Sequence, residues 1–248
     1  MNIIEIKNLN YLYKNKKIFE NLNLNIKKNS FTTILGSNGS GKSTLAKLIV
    51  KKHKNIKINT NKINYVFSNP DEHIVGKTVE KQFNFYLKQT NLEEKKIKDK
   101  IKKIAHEFKL NSVMSIDPYK LNMEQKQIIV LLSNTLNSPE LLIMDDALSC
   151  IGTYYKNKLI KYLKRQRISI VNFTNDTEES IYSNYIVIIN KKIVLNETIK
   201  KAFIEEKIFR DNYLKIPFIV ELSLKLKYYK ILDDITLDID EMVDKIWN

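Results

Sequence analysis

The segment G-S-N-G-S-G-K-S-T at residues 36–44 constrains the fold of this chain more than any other feature. It fits the pattern G-x-x-x-x-G-K-[ST] in full, after the apolar run 31–35 and before a stretch with helical spacing. Its glycines allow backbone angles that turn successive N–H groups towards phosphate oxygens. The N-terminus of the following helix adds a partial positive charge. The pattern therefore predicts a nucleotide phosphate site between a strand and a helix.

The same pattern assigns chemistry to individual side chains. Lys42 is expected to reach the β- and γ-phosphates, and Ser43 is expected to ligate Mg²⁺. A hard cation also prefers carboxylate oxygen, and Asp145 and Asp146 follow the apolar run 141–144. We expect Asp145 to hold the Mg²⁺, and Asp146 to act as a general base or water-orienting carboxylate. Two adjacent aspartates alone are often a loop start or a helix cap, but beside the loop they predict Mg-ATP binding.

Hydrophobic periodicity indicates the fold class. Alternation over residues 22–26 predicts a half-buried strand near the N-terminus. Apolar strand patterns then alternate with helical patterns, which predicts an α/β fold with a largely parallel sheet. The strand patterns lie at residues 63–67, 141–144, 168–173 and 185–189, and the helical patterns at 91–110, 124–137 and 157–164. From about residue 199 the spacing is helical, which predicts a small C-terminal helical appendage.

Composition narrows the functional classes. With 248 residues and 43% hydrophobic content, the chain is typical of a globular protein, and it has no apolar run of about 18 residues. The N-terminus lacks a signal pattern, and Cys150 is the single cysteine, so we expect a cytoplasmic protein. The net charge of +14 permits nucleic-acid binding. However, the excess is nearly all lysine, spread along the chain, so we expect no specific nucleic-acid partner.

Longer motifs resemble a known family. The form N-G-S-G-K-S-T at residues 38–44 is usual in ATP-binding cassette ATPases, which the chain resembles from residue 3 to about residue 190. The segment at residues 66–80, V-F-S-N-P-D-E-H-I-V-G-K-T-V-E, resembles the Q-loop segment of the energy-coupling-factor branch. The segment I-P-F-I-V-E-L at residues 216–222 resembles the C-terminal tail of that branch. The resemblance therefore extends over nearly the whole chain.

This resemblance implies an α/β fold of the ABC-type P-loop NTPase class. It comprises an N-terminal antiparallel β-subdomain, a parallel-sheet RecA-like core and a helical subdomain at about residues 80–138. The implied nucleotide-binding domain covers residues 1–198, and the short C-terminal helical appendage covers residues 199–248.

The resemblance also implies partners and a location. Energy-coupling-factor ATPases work in pairs beneath an integral membrane coupling protein and a substrate-binding membrane subunit, and they take up vitamins or metal ions. We therefore expect a paralogous ATPase as partner, at the cytoplasmic face of the cell membrane.

Further site residues follow from the family pattern. Tyr13 lies where the family has the aromatic residue that stacks on adenine, although a tyrosine in a strand core is the alternative. The expected nucleotide-binding residues are Tyr13, Gly36, Ser37, Asn38, Gly39, Ser40, Gly41, Lys42, Ser43 and Thr44.

Two elements that face nucleotide in the family are altered. The Q-loop glutamine has become Ser68, whose side chain is too short to reach the same place. The signature motif L-S-G-G-Q, which contacts the γ-phosphate bound to the opposite subunit, reads Leu121, Asn122, Met123, Glu124 and Gln125. We expect the carboxylate of Glu124 to repel an anionic phosphate.

Three more departures affect the groups that support hydrolysis. The usual catalytic glutamate is Asp146, which is one methylene shorter, and a misplacement of about 1 Å can cost on the order of 10²-fold in rate. The switch histidine has become Asn175, which carries no titratable proton. The D-loop at residues 149–152 reads S-C-I-G and lacks its aspartate.

These departures leave three interpretations open. The chain is a slow but working transport ATPase, or a nucleotide-binding subunit with degenerate catalytic residues paired with a competent paralogue, or a soluble cassette protein that acts on nucleic acid. We favour the second, because Lys42, Ser43 and Asp145 are intact whereas every element that supports hydrolysis is altered.

Overall fold

The computed structural model describes residues 1–247, and the chain divides into two compact units. Unit 1 comprises Met1–Asn59 together with the chain from Val171 onward, and unit 2 comprises Thr60–Ile170. No helix in residues 1–247 combines the length and the apolar character needed to span a bilayer.

The strands are β1 (Asn2–Tyr13), β2 (Lys16–Lys27), β3 (Phe31–Leu35), β4 (Ile56–Ile58), β5 (Ile63–Phe67), β6 (Leu141–Asp145), β7 (Ser169–Thr174), β8 (Tyr185–Asn190) and β9 (Lys192–Thr198). The helices are α1 (Lys42–Val50), α2 (Val79–Leu87), α3 (Glu94–Glu107), α4 (Met123–Leu136), α5 (Thr153–Arg165), α6 (Ile199–Ile204), α7 (Glu206–Asp211), α8 (Phe218–Tyr228) and α9 (Ile239–Trp247).

An antiparallel hairpin begins unit 1. Strands β1 and β2 pair along most of their length, and β4 pairs with the other edge of β1. Lys14 and Asn15 connect β1 to β2 with φ values of 46° and 62°. Two positive φ angles are typical of the two-residue turns whose twist matches that of paired strands. The N-terminal antiparallel subdomain thus has its predicted character.

Parallel strands follow in the same unit. Strands β3 and β8 pair in parallel, with Leu35 opposite Ile188, and β9 returns antiparallel to β8. Apolar side chains from these strands and from the chain after residue 199 share one buried cluster. Its members are Leu35, Ile186, Ile188, Leu195, Ala202, Phe203, Phe209, Leu214, Val220 and Ile235. Helices α6 to α9 follow β9, as the helical spacing predicted, and the domain boundaries 1–198 and 199–248 stay a prediction.

Unit 2 contains a second parallel pair, β5 and β6, in which Phe67 lies opposite Asp145. Helix α2 packs against α3 and α4. The fully buried amide of Gln82 accepts from Val75 and Gly76 N–H at 2.8 and 2.9 Å, and it donates to His73 O at 3.1 Å. One side chain of α2 therefore shapes the chain that precedes this helix.

Most predicted elements form within a few residues of their expected bounds. Three elements were not predicted, namely β4, α2 and β9. Strand β4 has only three residues in a lysine-rich segment, and the buried Gln82 interrupts the apolar spacing of α2. Helix α5 begins at Thr153, four residues before the predicted start at residue 157. Its first turn has the exposed Tyr154 and the half-buried Tyr155 and so lacks the apolar spacing that indicates a helix.

Candidate functional site

The phosphate loop in unit 1, residues 36–41, is shaped by close packing around its glycines. A Cβ atom at Gly36 would lie 2.6 Å from Ile189 O, and one at Gly41 would lie 2.7 Å from the ring of Phe19. Gly39 and Gly41 have φ values of 81° and 106°, in the left-handed region that favours glycine. Each glycine is therefore required, either by space or by backbone angle.

The ammonium group of Lys42 lies across this loop. It donates to Gly36 O at 2.7 Å and to Ser37 O at 3.3 Å, and the residue is only 6% exposed. Lys191 N donates to Ser40 O at 3.2 Å, which fixes the loop against the turn between β8 and β9. A cation is thus held at the centre of the loop by backbone oxygens, where a phosphate would meet it.

The loop has the properties of an anion site. Helix α1 has no acidic residue in its first turn, and no side chain caps its N-terminus. Its first N–H groups and its dipole therefore favour an anion. Within residues 1–247, the Ser40 hydroxyl is a buried polar atom that makes no hydrogen bond. A buried hydroxyl without a partner is costly in an ordinary loop and fits one that binds a polar ligand. These features fit the phosphates of ATP.

Tyr13 ends β1 and is 56% exposed, with Lys14 Nζ lying 5.8 Å from the centre of its ring. The alternative that Tyr13 is a strand-core residue is therefore wrong. An exposed ring at a strand end is available for stacking, and its role on adenine stays a prediction.

Asn175 contacts the phosphate loop. It follows β7, and its Nδ2 donates to Asn38 Oδ1 at 3.4 Å. Both residues are exposed. The family resemblance predicts Asn175 at the switch position and Asn38 among the nucleotide-binding residues, and the fold brings these two side chains together within unit 1.

The two candidate acidic residues, Asp145 and Asp146, lie in unit 2. Asp145 ends β6 and is 6% exposed, and Tyr65 of β5 donates its hydroxyl to Asp145 Oδ2 at 3.1 Å. Burial, followed by the charge of Asp145, raises the pKa of Tyr65 well above its usual range. A buried carboxylate suits a hard cation such as Mg²⁺. Sequence reasoning missed Tyr65, although the alternation of β5 puts it on the face that it shares with Phe67.

Asp146 adopts a left-handed backbone conformation, with φ at 52°. Among residues other than glycine, aspartate and asparagine tolerate this region best, because their short polar side chains bond locally. The Ser149 hydroxyl donates to Asp146 O at 2.8 Å, which closes the turn. Residues 146–152 form a segment that we name the Asp146 loop. Its first residue has a backbone that suits aspartate better than the longer glutamate.

The end of β5 is tied to the following turn by His73. Phe67 N donates to His73 Nε2 at 3.3 Å, and the two rings lie 4.2 Å apart. Burial lowers the pKa of His73, with a smaller opposing effect from Glu72. Ser68, the residue directly after Phe67 at the end of β5, is exposed. His73 was not singled out from the sequence, because a lone histidine carries no spacing signal.

The signature turn, residues 121–125, forms the start of α4. Asn122 caps the helix by accepting from Gln125 N at 2.8 Å, and Gln125 Oε1 accepts from Asn122 N at 3.4 Å. This reciprocal pair is a capping box. Glu124 Oε1 accepts from Gly152 N at 2.8 Å. The carboxylate that was expected to repel a phosphate therefore already has a hydrogen-bond donor within the chain.

Comparisons with known proteins support the family resemblance. The sequence model of the ABC transporter family matches residues 19–149. The energy-coupling factor transporter ATP-binding protein EcfA of Pediococcus pentosaceus is 31% identical over 264 residues, which cover 97% of this chain and 94% of the relative. The protein EcfA1 of Fusobacterium nucleatum is 30% identical over 271 residues, which cover 99% of this chain and 98% of that relative.

Solved structures support the α/β P-loop NTPase fold. The structure of cbiO1 from Clostridium perfringens, described as part of the ABC transporter complex cbiONQ, aligns with a TM-score of 0.72 at 21% identity. The alignment covers 93% of this chain and 98% of that chain. The structure of an ATP-binding subunit of an ABC transporter aligns with a TM-score of 0.71 at 20% identity. This alignment covers 91% of this chain and 99% of that chain.

The environment of His73 predicts a pH dependence of stability. Its pKa in the folded chain lies below the ordinary value of 6.5, so the unfolded chain binds more protons between these two values. The stability that neutral His73 contributes is present above pH 6.5 and is lost as the pH falls towards the folded pKa. Urea unfolding from neutral pH down to about pH 5 measures this loss.

His73→Gln keeps a hydrogen-bond acceptor but does not titrate, so its free energy of unfolding is expected to change less over this range. The exposed His106 provides a matched control, and His106→Gln is expected to behave as the parent does. Identical pH dependence in the parent chain and in His73→Gln would contradict the assignment.

Proposed function

The chain belongs to the ABC transporter family, within its energy-coupling-factor type, and we propose that it is the nucleotide-binding member of an ATPase pair whose own hydrolytic chemistry is weakened. Its relatives are named as ATP-binding proteins of energy-coupling factor transporters. The proposed activity is the binding of Mg-ATP, coupled to an importer of vitamins or metal ions through membrane subunits at the cytoplasmic face.

The observation that carries the proposal is the contrast between an intact phosphate loop and altered catalytic positions. The crowded glycines, the buried Lys42 and the uncapped helix N-terminus fit a triphosphate. The sequence patterns predict Ser43 and Asp145 as the Mg²⁺ ligands, because each side chain supplies the oxygen that Mg²⁺ prefers. When bound, Mg²⁺ neutralises phosphate charge.

The altered positions bear on hydrolysis instead. Ser68 and Asn175 replace a glutamine and a histidine of the family pattern, and Asp146 replaces a glutamate. Groups that orient water act as a unit, so their losses are not additive. The chain therefore retains what holds ATP and lacks most of what activates water. The alternative, a slow but self-sufficient ATPase, rests on Asp146 as the remaining carboxylate.

The weakened positions favour a heterodimer. In the family, each ATP lies between the phosphate loop of one subunit and the signature motif of the other. A homodimer of this chain would carry every alteration at both sites. With a competent paralogue, one site combines the partner's intact catalytic groups with this chain's altered signature turn, and we propose that this site performs most of the hydrolysis. ATP on Lys42 then mainly stabilises the closed dimer.

We expect Lys42→Ala to weaken Mg-ATP binding by the isolated chain by roughly 30-fold or more, because it removes a buried charge from the phosphate site. Calorimetric titration measures the affinity. Lys47→Ala removes an exposed lysine from the same helix, and it is expected to bind ATP as the parent chain does. Equal affinities for the parent and Lys42→Ala would refute the site.

A second experiment tests the division of labour in the purified complex. Replacing the partner's catalytic glutamate by glutamine is expected to abolish nearly all phosphate release, because that carboxylate orients water in the competent site. Asp146→Asn in this chain is expected to leave most of the release. The reverse result, or full activity from a homodimer of this chain, would overturn the proposal.

A further inference from the structure

Two consecutive residues of the signature turn contact the Asp146 loop. Glu124 Oε1 accepts from Gly152 N at 2.8 Å. The thiol of Cys150 donates to Met123 O, with 3.9 Å between Sγ and the oxygen. All four residues belong to unit 2, and the two segments are 28 residues apart along the chain at the closer contact. The start of α4 and the start of α5 are therefore joined by a charged hydrogen bond.

The carboxylate satisfies a need of helix α5. Gly152 is the N-cap of this helix, no side chain of α5 caps it, and its first turn has no acidic residue. In a capping box, a glutamate at the third helical position accepts from the N-cap N–H. Here α5 has Tyr155 at that position, and Glu124 supplies the acceptor from the neighbouring helix. The positive end of the α5 dipole also favours the negative charge.

The glycine permits the approach. A Cβ atom at residue 152 would lie 3.2 Å from Glu124 Oε1, closer than most side-chain contacts allow. The loop on the other side of Gly152 is itself fixed, because Ser149 bonds Asp146 O and Ile151 N bonds Leu148 O at 3.1 Å. Glu124 thus has a rigid anchor.

We propose that Glu124 is a positioning residue that holds the signature turn in the orientation needed to clamp the ATP of the partner subunit. The family pattern has small residues here, and their loss removes direct phosphate contacts. Glu124 directs its charge towards the N-terminus of α5, which reduces its repulsion of a phosphate at the start of α4. The anchored turn then presents the capped N-terminus of α4, a site that favours anions.

This inference rests on the proposed function, since it needs a partner ATP that meets the signature turn. It replaces the expectation of simple repulsion. Under repulsion, removal of the charge improves the clamp. Under positioning, removal of the hydrogen-bond acceptor loosens the turn, whereas removal of the charge alone has little effect, because the amide oxygen of glutamine still accepts from Gly152.

Amide hydrogen exchange of the full chain without nucleotide tests the contact itself. Glu124→Ala is expected to speed exchange at Gly152 N–H by about tenfold, the effect of losing one hydrogen bond to a charged group. Glu124→Gln is expected to keep most of the protection. Glu94→Ala removes another carboxylate from the first turn of a helix in unit 2, and it is expected to leave Gly152 unchanged. Unchanged exchange in Glu124→Ala would overturn the proposal.

ATP hydrolysis by the purified complex tests the role. Glu124→Ala and Gly152→Ala are each expected to raise the KM for ATP by several-fold, on the order of the loss of one charged hydrogen bond, with kcat less affected. The double variant is expected to resemble Glu124→Ala, because both changes act on the same contact. Glu124→Gln is expected to keep a KM close to that of the parent, because its amide oxygen still accepts from Gly152.

Two outcomes would overturn the positioning role. One is a lower KM in both Glu124→Ala and Glu124→Gln, which indicates that the charge repels phosphate. The other is an unchanged KM in Glu124→Ala. Failure of the proposed function is recognised separately, because the isolated chain would then fail to bind Mg-ATP through Lys42 while the exchange experiment still reports on the contact.

Discussion

The crowding of the backbone around the phosphate loop is the constraint on which the rest of the account depends. Gly36 and Gly41 leave no room for a side chain, because Ile189 O and the ring of Phe19 occupy the space that a Cβ atom would need. The buried ammonium of Lys42 then spans the loop between backbone oxygens, so that the site is organised before any phosphate arrives.

Local patterns made most of the fold predictable. The loop motif, the β-branched strands and the amphipathic helices all carry their information within a short window. Strand β4 and helix α2 do not, because the first has three residues and the second buries the amide of Gln82. The candidate site was predicted only in part. The loop motif predicts Lys42 and Ser43, and an acidic residue after an apolar strand predicts Asp145; these roles stay predictions. Tyr65 and His73 act through contacts that only the paired strand and the following turn create.

The structure also changed the interpretation of two altered residues, Glu124 and Asp146. Glu124 looked like a charge opposed to phosphate, yet its carboxylate caps a second helix. Asp146 looked like a shortened glutamate, yet its backbone lies in a region that aspartate tolerates well. Both alterations therefore fit their local structure. This fit favours an adapted binding subunit over one that merely accumulates damage, because damaged positions need not satisfy helix ends or backbone angles.

The central claim is that this chain binds ATP far better than it cleaves it, and the nucleotide held by the isolated chain tests it most directly. The chain is loaded with Mg-ATP, unbound nucleotide is removed, and the bound ATP and ADP are quantified over time. We predict that the bound nucleotide remains ATP over many minutes. Conversion to ADP at on the order of one turnover per second or faster, as in an ordinary enzyme, would contradict the account.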